Sequence, residues 1–192
     1  MKKALLLLLV ICVTFAMFTG CAASDKNAIY QSATAYTEKF ISALEELDIS
    51  ENSMENITIT QNADEPNRVA VEFADGMMVL LADSKNNIMA SAMIVLGEPD
   101  VSARYFAAAY STFSELVVDQ SLEEIQACLE ASEDGSFFDV ELDAMISGEI
   151  TENGASALIG NAASIGQGGD KKLRSLIEAG FPEIEAYGSM AG

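Results

Sequence analysis

The chain of 192 residues contains no histidine, and this absence removes several classes of catalytic site at once. Ser-His-Asp triads, Cys-His pairs, the H-E-x-x-H motif of zinc proteases and His-rich transition-metal sites all need an imidazole. Carboxylate pairs, Ser-Lys dyads and hard cations held by carboxylates remain available, but none of them has a recognisable motif here. The sequence therefore favours a protein that is not an enzyme, and we assign it no catalytic residue, no cofactor and no metal site.

Basic residues are scarce: the chain has 10 Lys and Arg against 30 Asp and Glu, which gives a formal net charge of −20. A protein that neutralises nucleic-acid phosphates needs a basic patch, so we expect no nucleic-acid partner. The same charge argues against adhesion to an anionic membrane surface beyond any attached lipid. Basic partners or cations remain an alternative to the interpretation that we favour, in which the acidic residues keep the domain soluble.

Cysteine is also scarce, with three residues in the chain, Cys12, Cys21 and Cys128. Cys12 lies in the apolar N-terminal run and Cys21 directly follows that run. Cys128 alone remains for the folded domain, so an intrachain disulfide is excluded there. Its place in "LEEIQACLEAS" is on the apolar side of a predicted helix, and we expect an inert buried thiol.

The N-terminus has the pattern of an export signal. Lys2 and Lys3 precede fifteen mostly apolar residues, 4–18. As a helix this run would rise about 22 Å, short of the roughly 30 Å hydrocarbon core of a bilayer. That length is typical of a secretory signal peptide.

The run ends in Phe18-Thr19-Gly20-Cys21, which resembles the lipobox of bacterial lipoproteins, with Phe18 where the family usually has Leu. The resemblance covers residues 1–21. It implies that the sulfur of Cys21 receives a diacylglyceryl group, that residues 1–20 are cleaved off, and that acyl chains such as palmitate anchor the protein to the cell membrane on its extracytoplasmic face. The alternative is an ordinary secretory signal that ends at Ala22 or Ala23. Residues 22–192 resemble no family that we recognise.

Alternation and helical spacing predict the elements that follow. We expect a tether at 21–27, then a helix from Ala28 to about Asp48, capped by Ser24 or Asp25. Strands are expected at 54–61, 67–73, 77–83 and 87–97. Asp75-Gly76 predicts a hairpin turn, because both residues tolerate positive φ. The third and fourth strands are apolar on both sides, so they should lie centrally and be covered on both faces.

The second half should contain helices at 102–117 and 121–132, strands at 136–147 and 149–160, and a helix that begins after Asp170. Asp100 or Ser102 should cap the first of these helices, and Asn153-Gly154 should form a second hairpin turn. The predicted order is α-ββββ-αα-ββ-α. This order indicates one α+β domain, residues 28–184, in which an antiparallel sheet of about six strands packs against helices. Residues 185–192 should form a loose tail.

Two charged clusters are candidate sites. Asp139, Glu141 and Asp143 alternate along one face of the predicted strand 136–147, where carboxylates could gather a Ca²⁺ ion. The alternative that we favour is a solvated face of a half-buried strand. Lys171, Lys172 and Arg174 follow "GQGGD" and are the candidate contact for an anion or an acidic partner. The favoured alternative is a linker, a helix cap and a solvated first turn.

Two apolar series are better explained as core. Met77, Met78, Met89 and Met93 could bind Cu(I), and we predict that Met89 and Met93 share a face, but Met commonly fills gaps in cores. An aromatic stripe at helical spacing could line a ligand pocket, but such stripes usually pack inward; its members are Tyr105, Phe106, Tyr110 and Phe113.

The sequence thus predicts a lipid-anchored envelope lipoprotein with a non-enzymatic binding or accessory role. Its partners would be the membrane, through the lipid on Cys21, and either another envelope protein or a small ligand. A carboxylate-based hydrolase or cation-dependent enzyme is one alternative, and a structural surface protein without a ligand is another.

Overall fold

The computed structural model describes residues 20–49, 57–118, 137–139, 144–151 and 154–191. The predicted helix at 121–132, with Cys128, lies outside these residues. The elements in chain order are α1 (Gly20–Glu46), β1 (Thr58–Gln61), β2 (Arg68–Phe73), β3 (Gly76–Ala82), β4 (Ile88–Leu96), α2 (Pro99–Phe113), a π-helical turn (Ser114–Val118), β5 (Phe137–Asp139), β6 (Ala144–Thr151), β7 (Gly154–Asn161), α3 (Ala162–Ile165), α4 (Lys171–Glu178) and α5 (Pro182–Ala191).

The strands form one antiparallel sheet in the order β1-β2-β3-β4-β7-β6-β5. The predicted α+β class is therefore confirmed, as is the joining of both strand groups in one sheet, which has seven strands within the described residues. β3 and β4 lie in the interior of the sheet, and every residue of β3 is buried. Their continuous apolar runs follow from this position, because helices cover both of their faces.

The first face of the sheet, covered by α1 and α2, carries the larger hydrophobic cluster. The helical spacing of Ile29, Ala33, Tyr36, Phe40 and Leu44 in α1 predicts an apolar stripe, and all five side chains are buried. Rings from α1, β2 and α2 meet at one point: Phe40 and Phe73 have centroids 5.7 Å apart, and Phe73 stacks on Tyr105 at 5.2 Å. Each such ring pair is worth about 0.5–1.5 kcal/mol beyond its buried area.

The predicted aromatic and methionine series lie mainly in the core, as expected. Tyr105, Tyr110 and Phe113 are buried and Phe106 is partly buried against the same cluster. Met78 and Met93 pack on the first face and Met77 on the second. Met89 packs against the second-face cluster, so the prediction that Met89 and Met93 share a face is wrong.

The second face is covered by α4 and α5, which pack on β3 and β4. Leu173 and Leu176 of α4 are buried here with Met77, Val79 and Leu81 of β3. Helix α5 contradicts the predicted loose tail, because residues 182–191 are helical and Ile184 and Tyr187 pack on this cluster. Pro182 explains the element, since proline is favoured in the first turn of a helix.

Two helix starts also differ from the prediction. The described part of α1 begins at Gly20, so residues 21–27 have helical backbone, and Ser24 and Asp25 lie inside the helix rather than capping it. Helix α2 begins at Pro99, where the missing N–H of proline costs nothing, so Asp100 and Ser102 lie inside it.

The alternating segment 136–147 is not one strand. It contains β5 and the start of β6, which pair antiparallel with Phe137 opposite Ile146 and Asp139 opposite Ala144. The chain therefore reverses direction between Asp139 and Ala144. Alternation alone does not show such a reversal, because both strands of a hairpin have the same period.

Gly76 is required by a close approach rather than by a turn. The predicted hairpin joins β2 to β3, with Phe73 opposite Gly76, and neither Asp75 nor Gly76 has positive φ. Gly76 also pairs with Val95 of β4 as the first residue of β3. A Cβ on Gly76 would lie 2.3 Å from the carbonyl oxygen of Ile94 in β4. On the other side of β4, Gly154 has φ 155° and a Cβ there would lie 2.1 Å from the carbonyl oxygen of Val95.

Candidate functional site

A groove of about 680 Å³ lies on the second face of the sheet, beside the start of α5. Residues of β4, β6 and β7 form its floor, among them Ala92, Ser147, Ser156 and Leu158. Phe181, Ile184 and Glu185 form the wall on the side of α5. Its volume lies within the range of about 300–1,000 Å³ that is usual for small-ligand sites.

Strand register places the floor residues side by side. Ala92 of β4 pairs with Leu158 of β7, and Leu158 pairs with Ser147 of β6. Directly paired residues of antiparallel strands point to the same face, so these three lie in one row across the sheet. Helix α5 packs on β3 and β4, and the floor on β6 and β7 lies beside the helix rather than under it. Ser147 and Ser156 are accordingly exposed, while Leu158 is half-buried.

Arg68 fixes the helix side of the groove. Its side chain is 1 % exposed, and its guanidinium donates to the carbonyl oxygens of Leu176 and Gly180 at 3.0 and 2.9 Å. It also pairs with Glu183 at 2.9 Å and with Glu65 at 3.0 Å, and it lies over the ring of Phe181. The turn between α4 and α5, and with it the wall of the groove, is therefore held against β2.

The charge on the groove wall is negative. Glu185 is exposed there, while the nearby Glu183 is already paired with Arg68. Farther along α5, burial raises the pKa of Tyr187, and the carboxylates of Asp75 and Glu72 raise it further. Hydroxyls, one carboxylate and an apolar floor together can orient an amphipathic molecule that brings hydrogen-bond donors or a positive charge.

Two members of the predicted carboxylate cluster lie outside the described residues. Asp139 ends β5, whereas Glu141 and Asp143 are not among the residues that the structure describes. The cation site at these three residues therefore stays a prediction. Within the described ranges, no group of three or more Cys, Asp or Glu side chains could hold a metal ion.

The predicted basic cluster is brought together at the start of α4, but its anion site is already occupied by the chain itself. Asp170 accepts hydrogen bonds from the backbone N–H groups of Lys172 and Leu173, as the sequence predicted for a cap. The side chain of Lys172 donates to Asn67, while Lys171 is exposed and Arg174 is half-buried. An incoming anion would therefore have to displace the carboxylate of Asp170 from the first turn.

Asp170 also joins α4 to the β3–β4 turn. Its carboxylate accepts from the hydroxyl and the backbone N–H of Ser84 at 2.6 and 2.9 Å. The pKa of Asp170 is held well below its usual range, first by these two bonds and then by the bonds from the N–H groups of residues 173 and 172. Partial burial opposes the shift. The residue acts as a structural clamp between two elements.

Sequence reasoning missed the groove. Its floor comes from alternation in "GASALIG", where Ser156 and Leu158 point to the second face. That pattern is visible in the sequence, but a strand with small residues predicts a groove only when the neighbouring helix is known to leave it uncovered. Glu185 was in the segment expected to be loose, and Phe181 and Ile184 lay between the end of the predicted final helix and that segment, so no wall was predicted.

Comparisons of the chain with protein-family models, with curated proteins and with solved structures find no match. Among the residues that the structure describes, no helix has both the length and the apolar character needed to cross a bilayer.

Proposed function

We propose that this protein is a lipid-anchored lipoprotein on the extracytoplasmic face of the cell membrane and that it binds a small amphipathic ligand without transforming it. The groove on the second face is the observation that carries the binding role, because it combines a ligand-sized volume with an apolar floor, hydroxyls and a carboxylate. The lipobox-like Phe18-Thr19-Gly20-Cys21 supports the anchoring role.

Charge narrows the ligand class. The chain has a net charge of −20 and Glu185 lies on the wall of the groove, so an anionic ligand would be repelled. One side of a ligand could make apolar contacts with Phe181, Ile184 and Leu158. Its polar side could contact the hydroxyls of Ser147 and Ser156. The ligand that fits best is therefore neutral or cationic, with an apolar body.

The test uses three aromatic probes of one shape and different charge: benzyltrimethylammonium, benzyl alcohol and benzylsulfonate. Each is titrated by calorimetry into the lipidated protein in nanodiscs, with empty nanodiscs as the blank. We expect the cation to bind most tightly, the alcohol next and the sulfonate least. The proposal would be contradicted if neither the cation nor the alcohol bound at millimolar concentration. It would also be contradicted if the sulfonate bound most tightly.

A pair of variants locates the binding. Ser156→Phe places a ring on the floor of the groove and should weaken binding of the cation at least about tenfold, since the ring fills volume that the probe needs. Ser175→Phe, at an exposed position on α4, is the matched control and should bind as the parent does. Equal binding by both variants would place the probe elsewhere.

A further inference from the structure

One end of the domain gathers the elements that lie nearest to Cys21, and we call it the anchor end. Ser32 of α1, Asn87 of the β3–β4 turn and Leu116 of the π-helical turn line one small cavity of about 210 Å³ there. On the other face of the sheet, Asp170 at the start of α4 is bonded to Ser84 of the same β3–β4 turn. The anchor end therefore consists of the β3–β4 turn, the π-helical turn and the starts of α1 and α4.

The connection from this end to Cys21 is short and helical. Cys21 and Tyr30 belong to the same uninterrupted helix, α1, and are separated along its axis by about 14 Å at 1.5 Å per residue. Ile29, next to Tyr30, is already buried in the core. A lipid on Cys21 would thus hold the anchor end close to the membrane surface, without a flexible linker between them.

Exposed apolar side chains occur at this end. Within the described part of the chain, the large hydrophobic residues that are exposed are Tyr30 and Leu116, at 44 % and 46 %. Both lie at the anchor end, on α1 and on the π-helical turn. Tyrosine favours the membrane interface, where its ring meets the acyl boundary and its hydroxyl meets water.

Outward-pointing lysines lie at the same end. Lys85 in the β3–β4 turn and Lys171 at the start of α4 are both exposed. Among the described side chains, the carboxylates on the β3–β4 turn, the π-helical turn and the start of α4 are Asp83, Glu115 and Asp170. All three already have partners in the fold: Asp83 accepts from its own turn, Asp170 caps α4, and Glu115 pairs with Lys39.

The opposite end of the domain is strongly acidic. Glu45, Glu46 and Asp48 are exposed at the end of α1, and Glu98 and Asp100 are exposed at the start of α2. Arg104 is the exposed basic residue that lies beside them. The net charge of −20 is the sum over the whole chain and does not show how the charge is distributed. The acidic end should repel an anionic membrane far more strongly than the anchor end does.

We propose that the anchor end lies against the anionic membrane surface. Tyr30 and Leu116 enter the headgroup region there, and Lys85 and Lys171 pair with lipid phosphates. The inference rests on the lipid attachment to Cys21 that is part of the proposed function. In this orientation the floor residue Ser156 lies away from the membrane, because it pairs with Ile94 toward the opposite end of β4.

The chain contains no tryptophan, so a single introduced tryptophan reports its own position. Leu116→Trp marks the anchor end and Glu98→Trp the acidic end. Each lipidated protein is reconstituted in vesicles of phosphatidylglycerol and phosphatidylcholine, with brominated phosphatidylcholine as the quencher. We expect roughly twofold quenching of the tryptophan at position 116, as for other interfacial aromatic side chains, and none at position 98. Equal quenching at the two positions, or none at either, would overturn the proposal.

Charge reversal tests the lysines in the Leu116→Trp protein. Adding Lys85→Glu and Lys171→Glu should reduce the quenching, and adding Arg104→Glu, at the other end, should leave it unchanged. A double reversal without effect would overturn the role of the lysines. Mass spectrometry of each sample separates the two proposals: a chain without the acyl group overturns both, whereas an acylated chain with an unquenched tryptophan at position 116 overturns this inference alone.

Discussion

Arg68 donates a hydrogen bond to the carbonyl oxygen of Gly180 across the second face of the sheet, at 2.9 Å. The contact joins β2 to the turn between α4 and α5, two segments separated by 112 residues of chain. Gly180 has φ 77°, a conformation that glycine adopts without strain, and it directly follows Ala179, the C-cap of α4. A buried charge therefore takes the place of apolar packing at this point of the layer.

Replacing Arg68 with alanine should destabilise the fold by about 3 kcal/mol, the lower end of the range for breaking a buried charge pair. The variant loses stability because two carbonyl groups and Glu183 lose their hydrogen-bond donor. The cost is at the lower end of the range because Glu183 and Glu65 remain in contact with water, with side-chain exposures of 24 % and 43 %. Urea denaturation measures the change. Arg104→Ala is the control, since Arg104 is exposed, and it should cost less than about 0.5 kcal/mol. Equal costs for the two variants would contradict the role of Arg68.

The sheet could be predicted from the sequence because its signals are local. Residues 67–73 alternate and residues 77–82 are apolar throughout, and these patterns identify β2 and β3 and the burial of β3. The hairpin of β5 and β6 could not be found in this way. Its strands have the same alternation, and their reversal depends on pairing with β7 rather than on the period of the pattern.

Gly76→Ala should destabilise the protein by at least about 2 kcal/mol, because its Cβ would lie 2.3 Å from the carbonyl oxygen of Ile94 and the strands would have to separate. Gly168→Ala is the matched control. Gly168 has φ 97° but nothing within 4 Å of an added Cβ, so its substitution should cost only the backbone strain, about 1 kcal/mol. Thermal unfolding of the two variants compares steric overlap with conformational strain, and a larger loss for Gly168→Ala would be inconsistent with the close approach.

The groove depends on contacts between distant parts of the chain. Its wall exists because Arg68, in β2, holds the turn at Gly180 and Phe181, and its floor exists because α5 packs on β3 and β4 rather than on β7. Neither contact can be predicted from the local sequence of residues 180–191. The start of α4 differs: Asp170 was predictable as a cap because its bonds to residues 172 and 173 are local, whereas its bond to Ser84 was not.

Asp170→Asn should make the free energy of unfolding depend less on pH under acidic conditions. The pKa of Asp170 is held below its ordinary value of 3.8, first by the hydroxyl and backbone of Ser84 and then by the first turn of α4. A lowered pKa contributes stability above the unfolded value, and that contribution is lost as the pH falls through the folded value. The parent should therefore be more stable than the variant at neutral pH, with a gap that narrows as the pH falls below about 4.

Urea denaturation at a series of pH values measures this gap. Asp64→Asn is the control, because Asp64 is exposed, and it should follow the parent across the series more closely than the Asp170 variant does. A gap between parent and Asp170→Asn that widens in acid would have the wrong sign for a lowered pKa.

Tyr36 should remain protonated in the native protein when the more exposed tyrosines ionise. Its hydroxyl is buried against Ser91 and the carbonyl of Ala109, both at 3.5 Å, and burial raises its pKa far above the ordinary 10.0, with the bond to Ser91 opposing the shift. The unfolded chain releases this proton above about pH 10 and the folded chain does not, so the free energy of unfolding should fall as the pH rises past that value. In Tyr36→Phe, the free energy of unfolding should fall less steeply with pH.

Absorbance of tyrosinate at about pH 11 should be the same in the native parent and the native variant, because Tyr36 contributes none of it. A parent signal larger by one tyrosinate would show that the hydroxyl is ionised inside the fold, which the packing of α1 on β4 does not permit.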